Sequence, residues 1–261
     1  MKVKTLLVAA LIFAIGSVAM AQNYTPDVRL DGYRGNVKSV DQKLFEARME
    51  GDKMERGDLM EHLNTVYNSK GQRKSMSFLD IYERGVVFRT RYKHDGFGLM
   101  TLEHIVDPQD NVIGRTYYLY DQKNVLSETY VEDVERQIES RILYIYDGQG
   151  HLSQRSYNDP FNEIYKREVY SYDAQGNMVR RVVFDRSKKK VQEWRYEYDS
   201  HNNPVTQTLF DYTEAEPEQF ATLFVYRYDD AGNWIQRTEY TLEATKTTPL
   251  YITERTIEYF E

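Results

Sequence analysis

Five histidines are the first side chains in this sequence that could bind a metal or carry a proton. They are His62, His94, His104, His151 and His201. None forms H-E-x-x-H or another spacing at which zinc ligands meet on one element. His151 and His201 fall at or beside turns where similar segments carry other residue types, which favours a turn residue over a ligand. The sequence therefore predicts no metal site and no cofactor.

Repeated aspartates are the second candidate for chemistry. Five of them follow a tyrosine: Asp121, Asp147, Asp173, Asp199 and Asp229. Each offers one carboxylate at an isolated turn, and the calcium-loop patterns are missing, so capping of the turn is favoured over calcium binding. A glycosidase pair needs two specific acids about 5–10 Å apart, and nothing in the sequence singles out such a pair. Because no nucleophile elbow, P-loop or dinucleotide fingerprint occurs either, we expect a protein that is not an enzyme.

Tyrosines are the better candidates for a functional surface. The chain has 23 of them. Two rows recur, each tyrosine two residues from its partner and therefore on the same face of a strand. The rows are Tyr118, Tyr144, Tyr170, Tyr196 and Tyr226, and Tyr120, Tyr146, Tyr172, Tyr198 and Tyr228. Two alternatives stay open: the rings pack as a structural face, or part of this aromatic surface binds a partner.

The elements that hold these tyrosines are repeats. The signature is Tyr-x-Tyr-Asp, a short polar stretch with Gly-Asn or a substitute, and an alternating run that ends in an aromatic residue, as in YSYDAQGNMVRRVVF from Tyr170. The second tyrosine recurs at Tyr67, Tyr92, Tyr120, Tyr146, Tyr172, Tyr198 and Tyr228, in steps of about 26 residues.

One copy has the chemistry of a β-hairpin. Asp173 can accept backbone N–H groups in the turn, and Gly176 supplies a positive φ. Asn124 and Asn202 replace the glycine in other copies, and asparagine tolerates that backbone region. The sequence predicts an all-β fold: an elongated antiparallel meander of about seven hairpin repeats, in an open twisted sheet or a solenoid. The last residues, ITERTIEYFE, should form a closing strand.

Tyr-x-Tyr-Asp-x-x-Gly-Asn resembles the YD repeat of bacterial Rhs proteins and teneurins. The segment RGNVKSVDQKLFEA, residues 34–47, is similar to the start of exported bacterial proteins built from degenerate YD-like repeats. The resemblance implies the hairpin repeat. It does not imply a cargo shell, because seven copies are too few and the Asp-Pro-x-Gly self-cleavage motif is absent.

The N-terminus carries an export signal. Lys2 and Lys4 precede an apolar stretch, and Ala19-Met20-Ala21 is a cleavage motif. We expect a signal peptide over residues 1–21, cleavage after Ala21, a leader segment over 22–33 and a single YD-like repeat domain over 34–261. There is no cysteine, so disulfides and a lipid-modified cysteine are excluded. The periplasm is the expected location, with secretion as the second choice.

The formal net charge of −7 argues against binding to nucleic acid, and no second apolar run predicts membrane insertion. We therefore expect a non-catalytic binding or accessory protein whose partner is a protein of the cell envelope, such as an outer-membrane translocation or uptake complex. In compartment and repeat type the chain resembles small periplasmic subunits of such machines, including the plug subunit of the type IX secretion translocon. A glycan-binding module is the alternative, and a hydrolase with an unrecognised acid pair is a third.

The C-terminal repeats are the predicted binding region. Trp234 stands where other copies carry leucine, methionine or proline, and tryptophan is enriched in binding hot spots. A buried cap of the repeat array is the competing interpretation. The candidate binding residues are Tyr196, Tyr198, Tyr226, Tyr228, Trp234 and Tyr240.

Overall fold

The fold is a closed ring of antiparallel strands, seen in a computed structural model that describes residues 25–82, 85–214, 216–242 and 247–261. The predicted signal peptide lies outside the described residues. Sixteen strands pair in chain order, and the first pairs with the last, for example Val40 with Ile257. The all-β prediction is confirmed. The expected open twisted sheet or solenoid is wrong, because the ends of the meander pair with each other.

Within the described residues, one short helix precedes the strands. It is α1 (Asp27–Leu30). The strands are β1 (Val37–Glu50), β2 (Lys53–Tyr67), β3 (Arg73–Leu79), β4 (Val86–His94), β5 (Met100–Val106), β6 (Val112–Tyr120), β7 (Leu126–Glu132), β8 (Ile138–Tyr146), β9 (Leu152–Asn158), β10 (Ile164–Tyr172), β11 (Met178–Asp185), β12 (Lys190–Tyr198), β13 (Pro204–Asp211), β14 (Glu218–Tyr228), β15 (Trp234–Leu242) and β16 (Thr247–Tyr259). The predicted closing strand is β16. No helix in the described part of the chain is long and apolar enough to cross a membrane.

The Tyr-Asp turns form one rim of the barrel and have the predicted construction. Asp173 Oδ1 accepts the backbone N–H groups of Gln175 and Asn177 at 2.9 and 2.8 Å, and Gly176 has φ of 86°. Asn124 and Asn202 have φ of 61° and 62° at the equivalent position. The pairing register shifts beside the second tyrosine of the repeat, so each of these hairpins contains a β-bulge.

Four turns of the opposite rim have the same construction without glycine. Asp107, Asp133, Asp159 and Asp185 each open a turn there, and the residue three positions later has a positive φ: Asp110, Arg136, Asn162 and Lys188. Both rims are therefore closed by short turns capped by aspartate carboxylates. This leaves every strand of the meander antiparallel to its neighbours.

An N-terminal arm, residues 26–36, is anchored at the Tyr-Asp rim. The backbone N–H of Val28 donates to the Gly71 carbonyl at 2.9 Å, and the Asp27 carboxylate binds His94 Nε2 at 2.7 Å. At its other end the Arg34 N–H donates to Asn233 Oδ1 at 2.7 Å. A small apolar cluster holds the arm against the wall, formed by Val28, Tyr33, Val37, Val40 and Tyr67. The arm thus connects the turns near β15 with those near β3 and β4.

Candidate functional site

The two tyrosine rows lie on the inner face of the barrel. Residues between the tyrosines are exposed, with Leu119 at 43%, Ile145 at 51% and Val225 at 49%. On the tyrosine side, burial raises the pKa of Tyr118 and of Glu103. Because the ring of strands is closed, the side that is buried from solvent, which carries the tyrosines, faces the inside of the barrel. We call this side the inner face and the opposite side the outer face.

The second-row tyrosines use their hydroxyls to join repeats. Tyr120, Tyr172 and Tyr198 each donate to a backbone carbonyl of the preceding strand, at Met100, Leu152 and Met178, over 2.7 to 2.9 Å. In the last hairpins Tyr226 donates to the Pro204 carbonyl at 2.8 Å, and Tyr228 donates to Asp199 at 2.6 Å. These hydroxyls are therefore occupied within the protein.

Two other first-row tyrosines bind carboxylates of the inner face instead. Tyr118 donates to Glu103 at 2.5 Å, and Tyr170 donates to Glu168 at 2.5 Å. Tyr157 also donates to Glu168, at 2.8 Å. Burial alone would raise the pKa of Glu168, but the Lys166 ammonium and the tyrosine hydroxyls hold that pKa below its ordinary value. The inner carboxylates are thus surrounded by donors from the protein itself.

Arginines stand between the aromatic rings of the inner face. The Arg155 guanidinium lies 5.5 Å from the Tyr144 ring and 5.7 Å from the Tyr170 ring, and Arg181 lies 5.1 Å from Trp194. Arg155, Arg181 and Arg237 occupy the same position in their repeats, the residue that pairs with the first tyrosine. We call these three arginines with their neighbouring rings the arginine–aromatic belt. Guanidinium over an aromatic face is a favourable cation–π arrangement.

Trp234 is the most crowded part of this belt. The Arg255 guanidinium lies 3.2 Å from the centre of its ring, and Arg237 and Tyr226 follow at 5.4 and 6.0 Å. Burial lowers the pKa of Arg255 to about 10, and the nearby charge of Arg237 lowers it too. The guanidinium groups of Arg255 and Arg237 therefore both pack against the indole ring of Trp234, so this ring makes its contacts within the protein.

Several buried donors of the belt have no hydrogen-bond partner among the described residues. They are Nε of Arg155, Arg181 and Arg237, Nε1 of Trp194 and Oγ1 of Thr253, which pairs with Arg237 across the sheet. An unpaired buried donor in a folded protein requires a water molecule, a ligand or another explanation. The belt therefore has the hydrogen-bonding capacity to hold an anionic or hydroxyl-rich molecule.

The structure divides the predicted binding residues between the two faces. Tyr196, Tyr198, Tyr226, Tyr228 and Trp234 are on the inner face, whereas Tyr240 is on the outer face. The bulge at Ile235 changes the side-chain parity of β15, so that Tyr240 pairs with outward Leu223. There its hydroxyl contacts Met54 Sδ at 3.8 Å, where the β1–β2 hairpin folds over the outside of β15.

The outer face is rich in charge across the middle of the strands. Examples are Arg91, His104, Arg115, Glu128, Arg141, Arg167, Arg180, Glu193, Arg195 and Glu254. Some are paired: Glu193 binds Arg180, Lys190 and Arg195, and these donors, led by Arg180, lower the pKa of Glu193 to about 2. Across the described residues no three His, Asp or Glu side chains are grouped as metal ligands. Sequence reasoning missed the inner arginines, although their constant place in the repeat was readable.

No protein-family model matches this sequence, and a comparison with curated proteins also gives no match. Among solved structures, the barrel is similar to a porin-like protein from Bacteroides uniformis, with a TM-score of 0.56 and 10% sequence identity, over 87% of this chain and 99% of that one. That likeness shows the fold alone. The complex TcdB2-TccC3-Cdc42 also matches, with a TM-score of 0.34 and 14% identity, over 80% of this chain and 11% of that one. The YD-repeat and translocon resemblances stay predictions.

Proposed function

We propose that this chain is a non-catalytic binding protein of the bacterial cell envelope, exported to the periplasm, where the outer face of its barrel binds a protein partner. The observation that carries the proposal is the division between the two faces. The inner tyrosines hold the repeats together, whereas the outer face carries charged and exposed apolar side chains. The outer face is therefore the accessible surface on which a partner can dock.

The composition of the outer face supports a location in water rather than in a bilayer. A barrel that spans a membrane needs an outward apolar band about 25 Å tall and strands of about 9–11 residues. Here Arg91, Arg115 and Arg141 lie near the middle of outward strand surfaces, and β5, β7 and β9 have 7 residues each. Charged side chains in lipid are strongly unfavourable. The proposed location is therefore the periplasm.

The state of the inner carboxylates supports a role without catalysis. A general acid or base needs a carboxyl group that reaches a substrate proton. Glu168 is held by Tyr157, Tyr170 and Lys166, and Glu103 by Tyr118. Each acid is thus part of the internal hydrogen-bond network. The hydrolase alternative, which required two convergent free carboxylates, gains no support from this arrangement.

The proposed partner is a protein of an outer-membrane translocation or uptake complex, as the repeat resemblance implies. In the test, a photo-crosslinking amino acid replaces Leu119, Ile145 or Val225, which are exposed on the outer face. The full chain that carries it is expressed in its own cells. Tyr196→photo-crosslinker on the inner face is the matched control. We expect one discrete envelope protein to be captured from outward positions and not from position 196. Capture from the inner position alone would contradict the proposal.

A second candidate function, glycan binding, is favoured by the arginine–aromatic belt. Sugar rings stack on aromatic faces, and the unpaired donors of Arg155, Arg181 and Arg237 could bind sugar oxygens. Both tryptophans of the chain, Trp194 and Trp234, stack on belt arginines, so intrinsic fluorescence reports on the inner face. A saturable change in emission on titration with oligogalacturonate, lost in Arg237→Gln, would support this candidate. Unchanged emission at millimolar sugar would exclude it for this sugar class.

A further inference from the structure

A row of cationic side chains crosses three neighbouring strands on the outer face. Arg91 on β4 pairs directly with His104 on β5, and His104 pairs directly with Arg115 on β6. Arg89 and Lys93 flank Arg91 on the same side of β4, because residues two apart point the same way. We call these five residues the basic row. Directly paired side chains on one face have Cβ atoms about 5 Å apart, so the row is short, straight and dense in positive charge.

This arrangement is unfavourable for the free protein. Like charges directly opposite each other in a sheet are destabilising. The effect is visible at His104, whose pKa is lowered by burial and by the charges of Lys93, Arg115 and Arg91. A chain with more acidic than basic residues, 41 against 34, nevertheless places five basic residues together here. The concentration of positive charge is therefore local.

The row is only partly neutralised by the rest of the described chain. Arg91 forms an ion pair with Asp110 at 2.5 Å. Arg115 is directly paired with Glu132 on β7, but its hydrogen bond goes to the backbone carbonyl of Asp133 at 3.2 Å, and Arg89 donates to Ser77 Oγ at 3.2 Å. The remaining N–H groups of the guanidinium groups can donate to oxygen atoms of a bound molecule. Guanidinium groups bind carboxylates through two parallel hydrogen bonds.

We infer that the basic row is the docking site for an acidic peptide segment of the protein partner. This inference rests on the proposed function for the identity of the partner as a protein. A stacked pair, Tyr117 and Tyr130, with ring centres 4.6 Å apart, lies next to Arg115 on the same face and offers an aromatic contact at one end of the row. Arginine and tyrosine together are typical of protein interfaces.

The surroundings favour a short peptide over an extended anionic surface. Asp107 and Asp110 border the row at the rim, and Glu128 and Glu132 follow on β7, one strand beyond Arg115. A membrane or a nucleic acid would approach these carboxylates as well as the row, and the whole chain carries a net charge of −7. A segment of a few glutamates or aspartates would cover less of this acidic border than a membrane or a nucleic acid.

The binding test uses the mature full chain and a fluorescein-labelled hexaglutamate peptide, with anisotropy as the readout. We expect saturable binding that weakens as salt is added. The double variant Arg91→Gln, Arg115→Gln should lose about tenfold or more in affinity, which corresponds to removal of two charge-assisted contacts. Because it removes like-charge repulsion, this variant should stay folded. Arg186→Gln is the matched control, since it removes an exposed arginine at a distant turn.

The pH dependence gives a second readout of the same row. His104 faces Arg91 and Lys93 from β4 and Arg115 from β6. Because burial and these charges hold the pKa of His104 below its ordinary value, His104 gains its proton only on stronger acidification than a free imidazole needs, and the peptide should bind more tightly once it does. His104→Gln should remove most of this increase while binding at pH 7.5 stays nearly unchanged. An equal increase in His104→Gln would contradict the assignment of the row.

Two further outcomes overturn the inference. One is equal loss of affinity in Arg186→Gln, which would mean unspecific attraction. The other is binding to vesicles of phosphatidylglycerol and phosphatidylcholine that is tighter than binding to the peptide and is lost in the Arg91, Arg115 double variant. That result would mean that the row is a membrane site.

In cells, the double variant should lose the crosslinked envelope partner. If it keeps that partner, the row is not the docking site and the proposed function stands. If the chain that carries the photo-crosslinker and an intact basic row captures nothing, the proposed function fails independently of peptide binding.

Discussion

The inner and outer faces of the same strands differ in what their aromatic and charged residues do. On the inner face, tyrosine hydroxyls and arginines bind groups of the protein itself, as Tyr172 binds the Leu152 carbonyl. On the outer face, the basic row places Arg91 and Arg115 directly beside His104, where the three like-charged or basic side chains oppose each other. Residues that recur among the repeats thus form the scaffold, whereas residues that differ between repeats form the surface that can bind a partner.

The largest effect should come from the inner tryptophan. Trp234→Ala removes the ring on which Arg255 and Arg237 stack, and loss of such a buried aromatic costs about 3–5 kcal/mol. Tyr240→Ala, on the outer face against Met54, should cost no more than about 1 kcal/mol. Urea denaturation of both variants checks the order. A larger loss for Tyr240→Ala would reverse the assignment of the faces.

The next effect concerns the turn that sets which side chains face inward. Gly176 has a positive φ of 86°, a region that β-branched residues avoid, so Gly176→Val should cost about 1–2 kcal/mol. Gly176→Asn should be milder, because Asn124 and Asn202 occupy this conformation in other repeats. The two variants are compared by chemical denaturation, and equal stability would mean that the turn tolerates any residue.

A smaller effect isolates the hydroxyl bonds between repeats. Tyr172→Phe removes the donor to the Leu152 carbonyl and leaves that carbonyl with one partner fewer, at a cost of about 1 kcal/mol. Tyr117→Phe is the matched control, because Tyr117 stacks with Tyr130 on the outer face through its ring and should change stability little. Differential scanning calorimetry of the pair is the measurement. Equal shifts of the unfolding temperature in the two variants would mean that the inner hydroxyl bonds do not stabilise the fold.

The repeat, its turns and its bulges were predictable because they depend on residues close in sequence. Asp173 and Gly176 specify a hairpin within five residues, and the structure confirms it. The turns at the opposite rim were read only as polar connections, because their positive-φ residues, such as Arg136 and Lys188, are not typical of that conformation. The aspartate that opens each of them was the available signal.

Closure of the ring was not predictable from the repeat. It depends on pairing between β1 and β16, more than 200 residues apart, as between Leu44 and Thr253, and no local pattern encodes how many strands complete a circle. The candidate binding residues placed Tyr240 together with Tyr226, Tyr228 and Trp234, but the bulged residue Ile235 puts Tyr240 on the other face. Local chemistry thus predicts the strands, whereas long-range pairing and one extra residue decide the faces.

The pairing of β1 with β16 closes the barrel, and the absence of cysteine from the chain allows a direct test of this closure. Lys43 on β1 and Glu254 on β16 are directly paired, so the double variant Lys43→Cys, Glu254→Cys should form an intramolecular disulfide under mild oxidation of the native protein. Lys43→Cys with Glu197→Cys on β12 is the mismatched control and should remain reduced. A quantitative mobility shift on non-reducing gels for the first pair alone is the predicted result. No disulfide in the first pair, or equal formation in both, would contradict the closed ring.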